Sequence, residues 1–311
     1  MRRQKRKANA KYSLAVSIAA IIIVLIASLL EYSGVTDILG SSSSPAVTAS
    51  QTTDTTVPPL MTAHFIDVGQ GDSTLFVSDG ETMLVDCGES EYGETVMQYL
   101  TANSVTHLDY FVISHAHSDH MGSAADIIEK ISIDNIIISQ PSESAMGKKI
   151  YGELLDAIND CEAEIIMAEP DYTFTLGDAE CTILAPFSVS EEENNNSVII
   201  YITAGKTSFL MTGDAEKAVE KELINAYPDL SVTVLKAGHH GSKSSSHKNF
   251  IEHIGARDAV ISVGADNDYG HPTEQVLTTF EENGIRVFRT DLNGTVKITC
   301  YKDSYKVSTE K

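Results

Sequence analysis

Positive charge is scarce in this chain. Its 311 residues hold 22 Lys and Arg against 44 Asp and Glu. Six of the 22 (Arg2, Arg3, Lys5, Arg6, Lys7 and Lys11) precede the first acid, Glu31, which leaves 16 basic against 44 acidic residues and a net charge of −28 for the remainder. Such a surface repels polyanions, because tight nucleic-acid binding ordinarily draws on many Lys and Arg contacts to phosphate. Cysteine is sparse too. Cys87, Cys161, Cys181 and Cys300 lie far apart with no C-x-x-C, which argues against a zinc knuckle. Cys161 and Cys181 could pair in an oxidising compartment, and free buried thiols are an equal reading. Only one stretch is uncharged and apolar enough to span a bilayer, so a multi-pass channel is excluded. Nothing repeats at solenoid spacing.

That stretch, residues 13–30, would reach about 27 Å as a helix, enough to cross the hydrocarbon of a membrane. The basic tail over 1–12 should stay on the cytoplasmic side and place everything after Glu31 outside. A signal peptide cleaved to release a secreted protein competes with this reading, but the apolar run is longer than a usual signal core and no clean A-x-A site follows. An uncleaved signal anchor is therefore expected. Residues 31–60 read as a linker, rich in Ser, Thr and Pro from residue 40 onward, that lifts a domain over 61–311 off the membrane. With 42% hydrophobic content, the chain can bury one large core or two modest ones.

The chemistry gathers at Ser114-His115-Ala116-His117-Ser118-Asp119-His120, which follows the apolar run Tyr110-Phe111-Val112-Ile113 and precedes a helix-like pattern. Residues two apart on an extended segment face the same way, so His115 and His117 can offer two imidazoles to one ion. After the chain bends, Asp119 and His120 point elsewhere and suit a second ion with nitrogen and oxygen ligands. A lone histidine is usually an ordinary core or surface residue. Three histidines and an aspartate within six residues at a strand end are a metal site.

Two further strands run into polar turns, at Phe209-Leu-Met-Thr-Gly-Asp214 and at Val234-Leu-Lys-Ala-Gly-His239-His240-Gly-Ser242. Alone, Gly-Asp after a strand reads as a helix cap. Neighbouring residues on a strand point oppositely, which favours one of His239 and His240 as a ligand, His240, with His239 facing substrate. Lys243 and Ser244–Ser246 could hold an oxyanion or form a plain serine loop. Asp67 and Asp72 read as turn or near-site acids able to brace a ligand histidine. His64 reads as structural, and His107, His247 and His253 as ordinary.

The H-x-H-x-D-H pattern resembles the metallo-β-lactamase superfamily. Phe65-Ile-Asp-Val-Gly-Gln-Gly-Asp-Ser73, Asp86-Cys-Gly88 and HHGS at 239–242 sharpen the likeness to the metallo-β-lactamase-like domain of ComEC-type competence proteins, channels for DNA uptake. The resemblance implies an α/β fold, a four-layer αββα sandwich, over residues 61 to about 300. It implies two divalent metal ions, Zn2+ or Mn2+, held by His115, His117, Asp119, His120 and His240 and bridged by Asp214. Asp119, His239 and His271, the last in Asn267-Asp-Tyr-Gly-His271-Pro, are the candidates for proton transfer or substrate contact.

The expected function is that of an extracellular, membrane-anchored, metal-dependent hydrolase of phosphodiester bonds. It would act as a nuclease, on single-stranded DNA, beside DNA-uptake or envelope machinery. Teichoic acid or phosphorylcholine esters are the alternative substrates, and a non-catalytic metal-stabilised binding module the alternative class. One departure stands out: no histidine occurs between Met121 and Gly238, where dinuclear members of the superfamily often carry another. Asn194-Asn195-Asn196-Ser197 occupies the rough location. An amide oxygen is a harder, weaker ligand than imidazole, so the first site should be loose or favour manganese.

Overall fold

A computed structural model describes residues 57–311. The basic tail and the anchor expected over 13–30 lie outside the described residues, as does the linker up to residue 56. No helix among the described residues is long and apolar enough to cross a membrane.

Three antiparallel strands open the domain: β1 (Met61–Phe65), β2 (Thr74–Ser78) and β3 (Glu81–Val85). Helix α1 (Gly93–Ala102) leads to β4 (His107–Ile113), which runs parallel to β3. Helices α2 (Ser118–Met121) and α3 (Ala124–Lys130) precede β5 (Ser132–Ile138). Helices α4 (Glu143–Met146) and α5 (Lys149–Asp160) precede β6 (Glu164–Met167). Strands β7 (Thr173–Leu176), β8 (Ala179–Ala185), β9 (Ile199–Ala204) and β10 (Thr207–Met211) are antiparallel. Parallel units follow: α6 (Lys217–Ala226), β11 (Val234–Lys236), α7 (Lys248–Ile254), β12 (Asp258–Ile261), α8 (Glu274–Glu282) and β13 (Arg286–Arg289). Helix α9 (Thr290–Asn293) returns the chain to β14 (Val296–Cys300), which pairs with β1, and to β15 (Tyr305–Thr309).

The strands form two sheets, ordered β15-β14-β1-β2-β3-β4-β5-β6 and β13-β12-β11-β10-β9-β8-β7. Alternation along each strand decides what lies between them. Ala63, Phe65, Phe76, Met83, Ile200, Phe209 and Val234 point into one inter-sheet core, where Phe76 and Phe209 meet edge to face at 5.8 Å. The opposite faces bury Leu84 and Phe111 under Val96, Leu100 and Ile127 of the helices, and Leu210 and Leu235 under Leu223, Phe250 and Phe280. A sheet hydrophobic on both faces must be covered on both, which gives the four layers αββα.

The edge strand β7 is only four residues long, with alternate residues exposed, too short to announce itself by periodicity. Beyond Gly294 the chain turns back on itself as two antiparallel strands, β14 and β15. All four cysteines are free: Cys181 lies in the inter-sheet core while Cys161 packs with the helical layer outside the first sheet. His64, by contrast, is structural, between Tyr99 Oη at 2.9 Å and Thr62 Oγ1 at 3.0 Å.

Candidate metal centre

The parallel strands β3, β4, β10, β11 and β12 all end on one edge of the sandwich, and the polar motifs are the turns that leave them. In open parallel sheets this is where sites form, because each carboxyl end releases a loop whose backbone is free to bend. The glycines permit close approach. A Cβ on Gly71 would lie 2.5 Å from the Asp119 carbonyl oxygen, and one on Gly213, which has φ +49°, would lie 2.9 Å from Ser197 Oγ. The Gly-Gln-Gly-Asp-Ser turn is thus packed against the histidine loop, with Asp72 N–H donating to Asp119 O at 3.0 Å.

Asp119, His120, Asp214 and His240 each bring a ligand atom within 4.8 Å of the others. His120 Nε2 stands 3.1 Å from Asp214 Oδ1, and His240 Nε2 is 3.1 Å from Asp119 Oδ2 and 3.7 Å from Asp214 Oδ1. The outer nitrogens are held from behind. His120 Nδ1 donates to Asp86 Oδ2 at 2.8 Å, and His240 Nδ1 to the Ser262 carbonyl at 2.9 Å. Bracing of this kind fixes the tautomer and aims the free nitrogen into the site.

His115 and His117 form the other half. Their Nε2 and Nδ1 atoms face each other at 3.0 Å. Behind His115 lie only hydroxyls, Ser114 Oγ at 3.0 Å and Ser197 Oγ at 3.4 Å. Among the described residues no third His, Cys, Asp or Glu joins this pair within the same 4.8 Å.

Electrostatics separate the halves as well. Burial drives His115 well below its ordinary pKa and lowers His117. Burial opposes protonation of His120 too, but Asp214, Asp119 and Asp86 outweigh it and hold that imidazole well above its ordinary value. His240 is raised for the same reason, by Asp214 and the Asp119 hydrogen bond against burial. Burial would raise Asp119 and Asp214, yet the charge of His120 dominates and both carboxyls stay below the usual range.

The donor set fits divalent cations. Buried His120 Nε2 and Asp214 Oδ1 lack hydrogen-bond partners although they face each other, and the carboxylates raise the pKa of two imidazoles where a cation's charge would otherwise sit.

His239 and His240 both have positive φ, 49° and 52°, so the alternation expected of a strand does not hold and both rings face the centre. His239 Nε2 lies 3.7 Å from Asp214 Oδ2, with Nδ1 on Ser244 Oγ at 3.0 Å. His271 lines the same hollow of about 300 Å3, with Lys148 at its rim. Its Nδ1 has no partner, and burial with His239 and His240 nearby lowers its pKa to about 4. Asn194 Nδ2 lies 3.3 Å from His239 Nδ1, while Ser197 Oγ accepts from Asp214 N–H at 3.0 Å. Asp67 stays on its own turn, accepting from Gly69 N–H at 3.3 Å.

Sequence reasoning passed over three groups. Asp86, at the end of β3, accepts from Ser114 N and Oγ at 2.7 and 2.8 Å as well as from His120. Pairing β3 beside β4 would have found it. Buried Glu193 ties the histidine loop, through Ala116 N at 2.9 Å, to the start of α4, through Ser142 N at 2.7 Å, with no local signal. Lys236 is buried at the end of β11; a charge closing an apolar run was the sign.

A sequence model of the metallo-beta-lactamase superfamily matches residues 66–265, more than half of the chain, and the chain belongs to that superfamily. ComE operon protein 3 of Bacillus subtilis (strain 168) is 31% identical over 256 residues, covering 75% of this chain and 32% of that protein. Competence protein ComA of Neisseria gonorrhoeae is 32% identical over 234 residues, 74% of this chain and 31% of ComA. The chain thus spans about a third of the length of these curated relatives. The crystal structure of the metallo-beta-lactamase fold protein YhfI from Bacillus subtilis shares the fold, with a TM-score of 0.51 at 15% identity over 74% of this chain and 95% of YhfI.

Proposed function

We propose that this chain is a metal-dependent phosphodiesterase, acting as a nuclease on DNA outside the cell and held at the membrane by residues 13–30. The observation that carries the hydrolase reading is the convergence of Asp119, His120, Asp214 and His240 beside the His115–His117 pair at the floor of one hollow. These residues would hold two ions, with Asp214 between them. Bound there, divalent cations would lower the pKa of water and neutralise charge developing on phosphorus.

The surrounding side chains divide the remaining work. Asp119 and Asp214, held ionised, supply the negative charge that ions bound here would meet. His271, neutral at physiological pH with an open Nδ1, is placed to accept a proton from an attacking water, and His239, on the same wall, to pass one to the leaving group. Lys148 offers positive charge at the rim.

Competence-named relatives support DNA as substrate, next to uptake machinery. Exposed Lys217, Lys221 and Lys243 form no ion pairs with described residues. Lys217 N–H donates to the carbonyl of Ser244, the neighbour of His239, so a strand could approach over α6. A specific observation keeps an envelope phosphodiester as the second reading. The neighbouring cleft of about 600 Å3 is lined by Asp67, Glu89, Glu91, Asp119 and Asp291 against one cation, Lys311, with Tyr92 and Tyr269, an acidic excess that disfavours a polyanion and suits a small ester with a cationic group.

The test uses the full-length chain with Zn2+ or Mn2+, single-stranded DNA and bis-p-nitrophenyl phosphate, and His117→Ala as control. Cleavage of DNA by the wild type and its loss in the variant are expected. Turnover of the small diester alone would move the assignment to an envelope phosphodiesterase. No metal bound and no turnover of either would leave only a binding module.

A further inference from the structure

Behind the metal centre lies a deeper group. Asp72, Asp86 and His120, all buried, each present a ligand atom within 4.8 Å of the others. A positive charge already stands beside them: the ammonium of Lys236, 1% exposed, lies 2.7 Å from Asp72 Oδ2. The same Nζ donates to the Ala237 carbonyl at 2.9 Å. An ammonium held by two oxygens at these distances stands where a hard, oxygen-liganded cation would stand. The second carboxylate oxygen, Asp72 Oδ1, is buried without a hydrogen-bond partner and lies 3.6 Å from His240 Nδ1.

The main chain that carries this carboxylate is held on both sides. Asp72 N–H donates to Asp119 O at 3.0 Å, and Asp72 O accepts from Gly88 N–H at 2.8 Å. Its strand-side partner is equally fixed, since Lys236 O accepts from Thr212 Oγ1 at 2.8 Å and the residue closes β11 immediately before the turn carrying His239 and His240. A buried carboxylate of this kind demands a positive partner, because an unpaired charge out of water is heavily penalised. A metal ion could meet the demand. A lysine meets it with a charge that is covalently attached and does not exchange.

We propose that Lys236 is a built-in cation that fills a third cation position behind the centre, so that the chain takes up its exchangeable ions in front of His120 and His240 and none behind them. The inference rests on the metal-centre reading for the ions in front, while the position behind is read from Asp72, Lys236 and Ala237 alone.

The experiment counts Mn2+ per chain by mass spectrometry in the full-length protein after removal of free metal, and records melting temperature with and without Mn2+. Lys236→Met keeps the stem and removes the charge; Lys236→Met with Asp72→Asn removes both charges. Lys236→Met should gain about one Mn2+ over the wild type, and Mn2+ should raise its melting temperature more than that of the wild type. The double variant should return to the wild-type count. An unchanged count in Lys236→Met, or an extra ion that persists in the double variant, overturns the proposal. So does a Lys236→Met chain that stays unfolded at every Mn2+ concentration, because an open cation position would be refilled from solution. A wild type that binds no Mn2+ would sink the metal-centre reading, and the difference between variant and wild type would still decide Lys236.

Discussion

The two halves of the centre are built to different standards. On one side Asp119, His120, Asp214 and His240 converge, with each histidine braced by a full acceptor, Asp86 or the Ser262 carbonyl. On the other, His115 and His117 offer two nitrogens, and hydroxyls stand behind His115. Ligand number and bracing both set affinity. The centre should therefore hold one ion tightly and the other loosely, the loose position being the one where no third His, Cys, Asp or Glu joins among the described residues.

The strongest blow to this contrast is to the group the halves share. Asp214→Asn should abolish binding in both and cut hydrolysis by roughly 10^3-fold or more, measured as kcat/KM on the small diester with metal content alongside. A variant that keeps one ion at full affinity would show that Asp214 belongs to one half only. Bracing comes next: Asp86→Asn should weaken the tight site by about 10- to 100-fold, while Ser197→Ala, whose hydroxyl meets both His115 Nδ1 and the Asp214 N–H, should weaken both sites by less. Equilibrium titration against a competing chelator reads both.

Proton linkage distinguishes the halves further. His120 and His240 carry raised pKa values and must shed protons to bind metal, whereas His115 and His117 are lowered and already neutral near pH 7. Affinity at the tight site should then rise with pH, by up to about tenfold per pH unit for each proton released, while the loose site stays flat above neutrality. Affinities at pH 6 and pH 8 with the half-site variant His117→Ala would show the slope. The smallest effect belongs to the surface: Lys217→Glu with Lys221→Glu should raise KM for an oligonucleotide several-fold at low salt and lose that effect at high salt. An equal rise for the uncharged-ended, single diester would mean that the lysines serve the fold.

Much of this was legible in the residues. The His115–His120 loop, the Gly-Asp turn at Asp214 and the paired histidines at 239–240 announce themselves because their chemistry is local. What was hidden depends on neighbours in space. Asp86 matters because β3 lies parallel to β4, and Glu193 because a distant turn folds back on Ala116. The expectation that His239 and His240 point apart rested on strand geometry, and two consecutive positive φ values undo it; few non-glycine pairs adopt them, and nothing local signals it. Lys236 was visible as a residue, but its partner Asp72 sits 164 positions earlier.

Stepwise titration of the metal-free, full-length chain with Mn2+ or Zn2+ tests the unequal centre most directly. Two binding events of clearly different affinity are expected, with hydrolysis of the diester rising with the second and His117→Ala deleting only the weaker. Two equal events, or none, would contradict it.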